Sequence, residues 1–302
     1  SLMRVSRNLA RPPHPLRRRQ VLAGAGALAV NAVLLGLGPA ARADTEGVPA
    51  APDRALRVMS FNIHHGAGVD GALDLERVAR VIQDHRVQVA GLQEVDRHFG
   101  ARSDFVDQAR WLAERLETHV VYGANLSLDP LEPDAPRREY GTAILSRHPI
   151  LEWSNTLLPK SPATEQRGLL YARINVRGVP VRTYNTHLEH TSRQERLAQV
   201  ARIRELVGTP GEPVLLVGDL NATPEAPEIV ELTRDLTDTW VEAGVGAGHT
   251  YPVANPIKRI DYVLSSPDVT SISAEVITTD SSDHLPVLTG VTLPGAAVGV
   301  EP

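Results

Sequence analysis

The chain has 302 residues, with 31 Lys and Arg against 36 Asp and Glu, a net charge of −5, 42% hydrophobic residues and no Cys. That length builds one large domain or two small ones around a core that needs no staples, and the composition is that of an ordinary globular protein. Without Cys, disulfides, thiolate catalysis and Cys-ligated zinc are excluded.

Residues 1–43 read as a leader. Arg17, Arg18 and Arg19 precede an apolar stretch over 21–37, which closes on Pro39 and on Ala41-Arg42-Ala43, an A-x-A cleavage pattern. Arg18-Arg19-Gln20-Val21-Leu22 is similar to the twin-arginine export signal. An uncleaved anchor is the alternative; the Gly content and the A-x-A pattern weigh against it. Residues 44–54 read as a Pro/Ala-rich linker, 55–294 as one domain and 295–302 as a tail. The expected product is an exported protein that begins near Asp44.

Within the domain, 56–63 is strand-like, and 73–84 carries apolar residues at helical spacing. The run 87–92 reads as a strand that passes into Gln93-Glu94, and 104–116 as a helix with Trp111, Leu112 and Leu116 on one face. Segment 125–138, "NLSLDPLEPDAPRR", is a Pro- and acid-rich loop long enough to wall a pocket. Strands are expected over 140–145, 169–176 and 181–186, the last running into His187. A helix over 192–207 follows, with Ser192 as its cap and Glu195 in the capping-box position. The runs 214–217, 260–264 and 285–291, bounded by turn residues, complete the strands. Strands and helices mixed at this spacing predict a single α/β domain.

Polar residues sit in a regular place in this pattern. Strand after strand ends in a side chain able to bind a metal or a phosphate: Asn62, Glu94, His187, and Asp219 with Asn221. Asp283 and His284 stand beside the last strand, and Asp261 lies inside an apolar one. One Asn after a strand caps a turn, and one Asp caps a helix. A carboxylate within an apolar strand needs a partner, and six such placements in one domain point to a shared site. In "VLLVGDLNATP" (214–224), Asp219 and Asn221 are two apart on an extended segment and are expected to project to the same side.

"FNI" at 61–63, "LQEVD" at 92–96, "YNTHLEH" at 184–190, "GDLNATP" at 218–224, "RIDYVL" at 259–264 and "SSDHLPV" at 281–287 carry a family likeness. In this order the chain resembles the endonuclease/exonuclease/phosphatase superfamily of metal-dependent phosphoesterases. The resemblance implies a four-layer α/β/β/α sandwich of two mixed sheets flanked by helices, with the site at one edge of the sheets. It implies hydrolysis of a phosphate ester with Mg²⁺ or Mn²⁺ as cofactor, the cation held by Glu94, Asp283 and Asn62, since hard cations prefer oxygen donors. Asn62 would also touch the phosphate or orient water. Asp219 resembles the residue that positions or deprotonates the attacking water, and Asn221 a donor to the phosphoryl oxygens. Asp261 is expected to fix the tautomer of His284 and raise its basicity.

His187 resembles the second active-site histidine of the deoxyribonuclease, sphingomyelinase and phosphatase branches. A Glu can orient that ring, and Glu139, beside Tyr140, is the candidate. His64, His65 and His190 adjoin motif positions and read at least as well as solvated or supporting residues as they do as catalytic ones. Arg167 in "EQRGLL" is a candidate phosphate clamp, because a guanidinium matches phosphate oxygens in pairs. A surface Arg at a strand start is the alternative, and Lys258 and Arg259 read the same way.

No G-x-x-x-x-G-K-[ST], H-E-x-x-H or G-x-S-x-G is present, which removes the P-loop, zincin and α/β-hydrolase readings. A glycosidase would use paired carboxylates but would leave the two histidines, Asn62 and Asn221 without work. A non-catalytic adhesion module would be expected to lack one of Glu94, Asp219 and His284. Seven of the basic residues are arginines ahead of Asp44, where no acid stands; the rest of the chain holds 24 basic and 36 acidic residues, a net charge of −12. Such a surface repels long polyanions unless a local groove, here Arg137, Arg138, Arg167 and Arg259, compensates. The expected substrate is therefore a small or lipid-linked phosphate ester, with DNA or RNA as the alternative. No protein partner is evident, and a monomer is expected.

Overall fold

The computed structural model describes residues 54–209 and 211–295. The segment expected to be a leader lies outside the described residues, as do the expected linker and tail apart from Arg54 and Gly295. Side chains of β1 (Arg54–Asn62) alternate: Leu56 and Val58 enter one core, Met59 and Phe61 another. The same alternation splits β8 (Val214–Asp219), with Leu215 and Val217 in the first core and Val214 and Leu216 in a third. Successive residues of a strand point to opposite faces, so strands apolar on both faces must be covered on both. Four layers result.

One sheet runs β11-β12-β1-β2-β4-β3 and the other β5-β6-β7-β8-β10-β9. The first comprises β1, β2 (Val89–Arg97), β3 (His119–Leu128), β4 (Arg138–Ser146), β11 (Thr270–Val276) and β12 (Val287–Leu293). The second comprises β5 (Ile150–Leu157), β6 (Gly168–Val176), β7 (Val179–His187), β8, β9 (Thr237–Asp238) and β10 (Asp261–Ser265). Between the sheets, Leu56, Val58, Val89 and Ile144 meet Leu170, Ile174, Leu215, Val217 and Val263. Outside the first sheet pack Val78 and Ile82 of α1 (Leu75–Asp84) and Leu112 and Leu116 of α2 (Gln108–Leu116). Outside the second pack Val200, Ile203 and Val207 of α3 (Arg193–Val207) and Ile229 and Leu232 of α4 (Pro227–Leu232). A short α5 (Thr239–Ala243) follows β9.

Two pairs of neighbours are parallel, β1 with β2 and β7 with β8, and the other pairings are antiparallel. The carboxyl ends of those four strands therefore lie side by side. The antiparallel neighbours β10 and β12 begin at that same end, which places Asp261 opposite Asp219 and His187 opposite Asp219 in the register. A buried polar tie joins the sheets just below: the Asn185 amide donates to the Leu92 and Ala143 carbonyls and accepts from Gln93 Nε2 at 2.8 Å. Gly91 makes room for it, since a Cβ there would stand 2.1 Å from Val217 Cγ2.

Some expectations change. β3 extends to Leu128, so the irregular part of the 125–138 segment shrinks to a hairpin connection that does not line the site cavity. β2 runs past Leu92 to Arg97 because a bulge between Leu92 and Val95 shifts its register against β4. Helix α2 starts at Gln108, after Asp107 accepts from Arg110 N, and not at 104. At α3 only half of the capping box forms. Ser192 Oγ accepts from Glu195 N, but the Glu195 carboxylate turns to Ser161 N and Thr164 Oγ1.

Candidate active site

Asp219, 1% exposed at the end of β8, is the centre of the arrangement. Its Oδ2 lies 3.1 Å from Asn62 Nδ2, 3.4 Å from His187 Nε2 and 3.6 Å from His284 Nε2. Its Oδ1 accepts from Asn221 N at 3.0 Å. Burial, reinforced by the neighbouring Asp261 carboxylate, raises the Asp219 pKa to about 7 against the pull of His284.

His284 Nδ1 donates to Asp261 Oδ2 at 2.9 Å, and Thr250 Oγ1 donates to the same oxygen at 2.6 Å. Burial alone would discharge this imidazolium. The Asp261 and Asp219 carboxylates outweigh it and hold the His284 pKa at about 10. Tyr251 covers the ring, with centroids 4.7 Å apart, and Ser282 Oγ ties the loop to the Asn62 carbonyl at 2.6 Å.

His187 has the opposite neighbour. Arg167, 4% exposed, points NH1 at His187 Nδ1 across 3.1 Å. A guanidinium only donates, so Nδ1 accepts and the ring's proton sits on Nε2, facing Asp219. Burial first, then the charges of Arg167 and His284, push the His187 pKa well below the ordinary value. His187 is a neutral donor.

Glu94 stands in the β2 bulge with φ 55 and accepts from Asn62 Nδ2 at 3.0 Å. The Asn62 amide thus clamps Glu94 to Asp219, while its Oδ1 accepts from His64 N at 3.0 Å. In this arrangement the Asn62 oxygen is turned to the backbone and its nitrogen holds two carboxylates. The expectation for Asn221 also changes. It lies beyond β8 with φ 49, so strand alternation does not aim it; an Asx turn does, with Nδ2 held by the Leu188 carbonyl at 3.0 Å.

Of these groups Glu94, Arg167, His187, Asp219, Asn221, Tyr251 and His284 line a cavity of about 610 Å³, together with Tyr140, Glu165, His190, Arg193, Arg196, Lys258 and Asp283. Glu139 is not among them: it pairs with Arg97 on the first sheet and does not orient His187. Arg259 is buried against Asp238 at 2.8 Å, and Arg137 holds Asp129 at the surface, so the four-arginine groove does not form around the cavity. Sequence reasoning missed Glu165, Thr250, Tyr251, Ser282 and the first turn of α3; "GHTYP" at 248–252, between two strands and rich in hydrogen-bonding residues, was the available signal.

The donor chemistry fits a divalent cation on the Glu94 side. There the Glu94 and Asp283 carboxylates reach the cavity, whereas the Asp261–His284 pair holds a proton and has no lone pair to give from His284. Burial and Arg102 lower the His65 pKa to about 4 in this region, so its ring is neutral at ordinary pH.

Two mixed sheets face to face, with acids and histidines gathered at the strand ends and donors that suit a cation, are the architecture of a phosphoesterase sandwich. Residues 59–284 match the model of the endonuclease/exonuclease/phosphatase family, and the chain belongs to that family. Its members are hydrolases acting on phosphate ester bonds, generally with a divalent metal, and this chain is such a hydrolase. Among solved structures, an endonuclease/exonuclease/phosphatase from Beutenbergia cavernae is similar at 27% identity and a TM-score of 0.68, over 82% of this chain and 73% of that one. A family protein from Bacteroides thetaiotaomicron shares the fold at 19% identity and a TM-score of 0.65, over 81% and 100% of the two chains. So does a mannosyl-6-phosphatase from the same organism, at 19% identity and a TM-score of 0.62, over 78% and 99%. No curated protein matches the sequence.

Proposed function

We propose that this chain is an exported, Mg²⁺- or Mn²⁺-dependent phosphoesterase that hydrolyses a small or lipid-linked phosphodiester or monoester. The observation that carries the reading is the cavity, about 610 Å³ with Asp219, His187 and His284 in its wall, a size suited to one small molecule or headgroup. Arginines that would track a polymer, Arg137, Arg138 and Arg259, do not line it.

Asp219 takes the proton of the attacking water, since a base with a pKa near the working pH transfers protons best. The His284 imidazolium, kept charged by Asp261, stabilises the negative charge that builds on the phosphoryl oxygens. His187 Nε2–H and the second Asn221 amide hydrogen donate to the same oxygens. Arg167 holds His187 in the donating tautomer and adds a fixed positive charge beside the phosphate. The divalent cation, which Glu94 would hold with Asp283 as a ligand or a supporting carboxylate, would neutralise phosphate charge as a Lewis acid.

The test is kcat/KM on plasmid DNA against sphingomyelin, lysophospholipid, sugar-phosphate and inositol-phosphate substrates at equal salt. Turnover of a small ester with little plasmid nicking is expected; rapid nicking with negligible small-ester turnover would establish the nuclease reading instead. EDTA is expected to abolish activity and Mg²⁺ or Mn²⁺ to restore it. Export rests on the arginine pair: replacing Arg18 and Arg19 with Lys is expected to retain precursor in the cytoplasm, and normal secretion of that variant would contradict the leader reading.

A further inference from the structure

His64 and His65 have no part in the proton chemistry above, yet both face Glu94. One donor atom from each of His64, His65 and Glu94 lies within 4.8 Å of the other two. All three residues reach that position in the left-handed backbone region, with φ of 46, 45 and 55, which residues with a Cβ adopt only when the surroundings hold them there. The two rings stand edge to face, with centroids 4.5 Å apart.

Hydrogen bonding leaves ring nitrogens open. His64 Nδ1 lies 3.3 Å from the Ala67 carbonyl and 3.9 Å from Asp283 Oδ1. Both neighbours only accept, so the proton belongs on Nδ1 and the lone pair on Nε2. A histidine whose far nitrogen is held by a carbonyl or carboxylate is the usual form of a metal-bound imidazole. His65 Nδ1 is buried and has no hydrogen-bond partner among the described residues. A buried polar atom left unpaired requires an explanation, and an ion is one of the few available.

We propose that His64 and His65 join Glu94 as ligands of the catalytic cation, with Asp283 orienting His64, so that the site takes a first-row transition ion such as Mn²⁺ or Zn²⁺ in preference to Mg²⁺. Two imidazoles and one carboxylate form a mixed nitrogen–oxygen set, whereas Mg²⁺ favours oxygen and retains its waters. The inference refines the metal-dependent reading of the site, and it is tested without substrate so that the two stand or fall separately.

The experiment is pulsed electron paramagnetic resonance on metal-stripped protein reloaded with Mn²⁺, in the wild type, in His64→Gln/His65→Gln, and in His190→Gln as control. Directly bound ¹⁴N is expected in the wild type and in the control, and is expected to vanish in the double variant. Mn²⁺ affinity of the double variant is expected to fall by at least about tenfold, with Mg²⁺ affinity changed less than about twofold. Nitrogen coupling absent from the wild type would overturn the proposal even if both variants failed to fold. Coupling that persisted in a folded double variant would assign the nitrogens to His187 or His284 and overturn it equally. Oxygen-only coordination with intact turnover would leave the phosphoesterase reading standing; bound nitrogen with no turnover of any phosphate ester would do the reverse.

Discussion

His187 and His284 flank one oxygen of Asp219, at 3.4 and 3.6 Å, yet carry different charge. The cause is what holds each far nitrogen: a carboxylate for His284 and a guanidinium for His187. The His284 pKa is raised from 6.5 to about 10, so its positive charge is complete below the ordinary value and is lost as pH rises through 10. A pH profile of kcat/KM is expected to fall on its alkaline side toward pH 10, and Asp261→Asn is expected to draw that limb back toward neutrality. His284→Ala is expected to lower kcat by roughly 10²–10⁴-fold, Asp261→Asn by less, because the latter spoils orientation and charge but leaves the ring. An Asp261→Asn protein with an unchanged profile and kcat, but a lower melting point, would make the pair structural only. The Asp261–His284 pairing was legible because both motifs announced themselves. The Arg167–His187 pairing was not: it arises where β6 meets β7, and a cross-strand neighbour leaves no mark in the local sequence. Glu139 failed as a substitute because β4 belongs to the other sheet.

At the scale of elements, strands apolar on both faces announced themselves, and β1, β2, β7, β8 and β10 were all anticipated. The edge strands β3, β5, β9 and β11 were not. β5 exposes Leu151, Trp153 and Leu157, and a strand without a buried face has no period to read. The bulge at Glu94 was equally silent, since it is set by register against β4 and not by residue type. Gly91 gives a check on the packing behind the site. Gly91→Ala would drive a methyl into Val217, and overpacking of this kind typically costs about 1–3 kcal/mol, readable as a lower denaturation midpoint at unchanged slope. Asn185→Ala would take the Asn185 donor from the Leu92 and Ala143 carbonyls and leave the Gln93 amide only the Gly91 carbonyl and Ser60 Oγ, a loss of about 1–3 kcal/mol.

For the whole molecule, charge and shape agree. With a net −12 over residues 44–302, the domain has no field to gather a polymer, and Arg167, Arg193, Arg196 and Lys258 line its one-molecule cavity. A protein with 6–10 phosphate contacts loses about 10³–10⁵ in affinity between 50 and 200 mM salt; kcat/KM on the preferred small ester is expected to change by less than about tenfold over that range. A steeper loss would reveal polymer-like binding. The bonds that build the site also span the chain: Asn62 reaches Asp219 over 157 positions, and Ser282 reaches back to Asn62 over 220. Contacts so remote in sequence form late, because loop closure must be completed before they contribute. The strand that starts the domain, β1, pairs with the one that ends it, β12. A chain short of His284 lacks one wall of the cavity, and during refolding activity is expected to return with the slowest phase of tryptophan fluorescence and never ahead of it. The topology thus sets an expected order of events, in which catalytic competence follows the closing of the last strand, β12, on the first, β1.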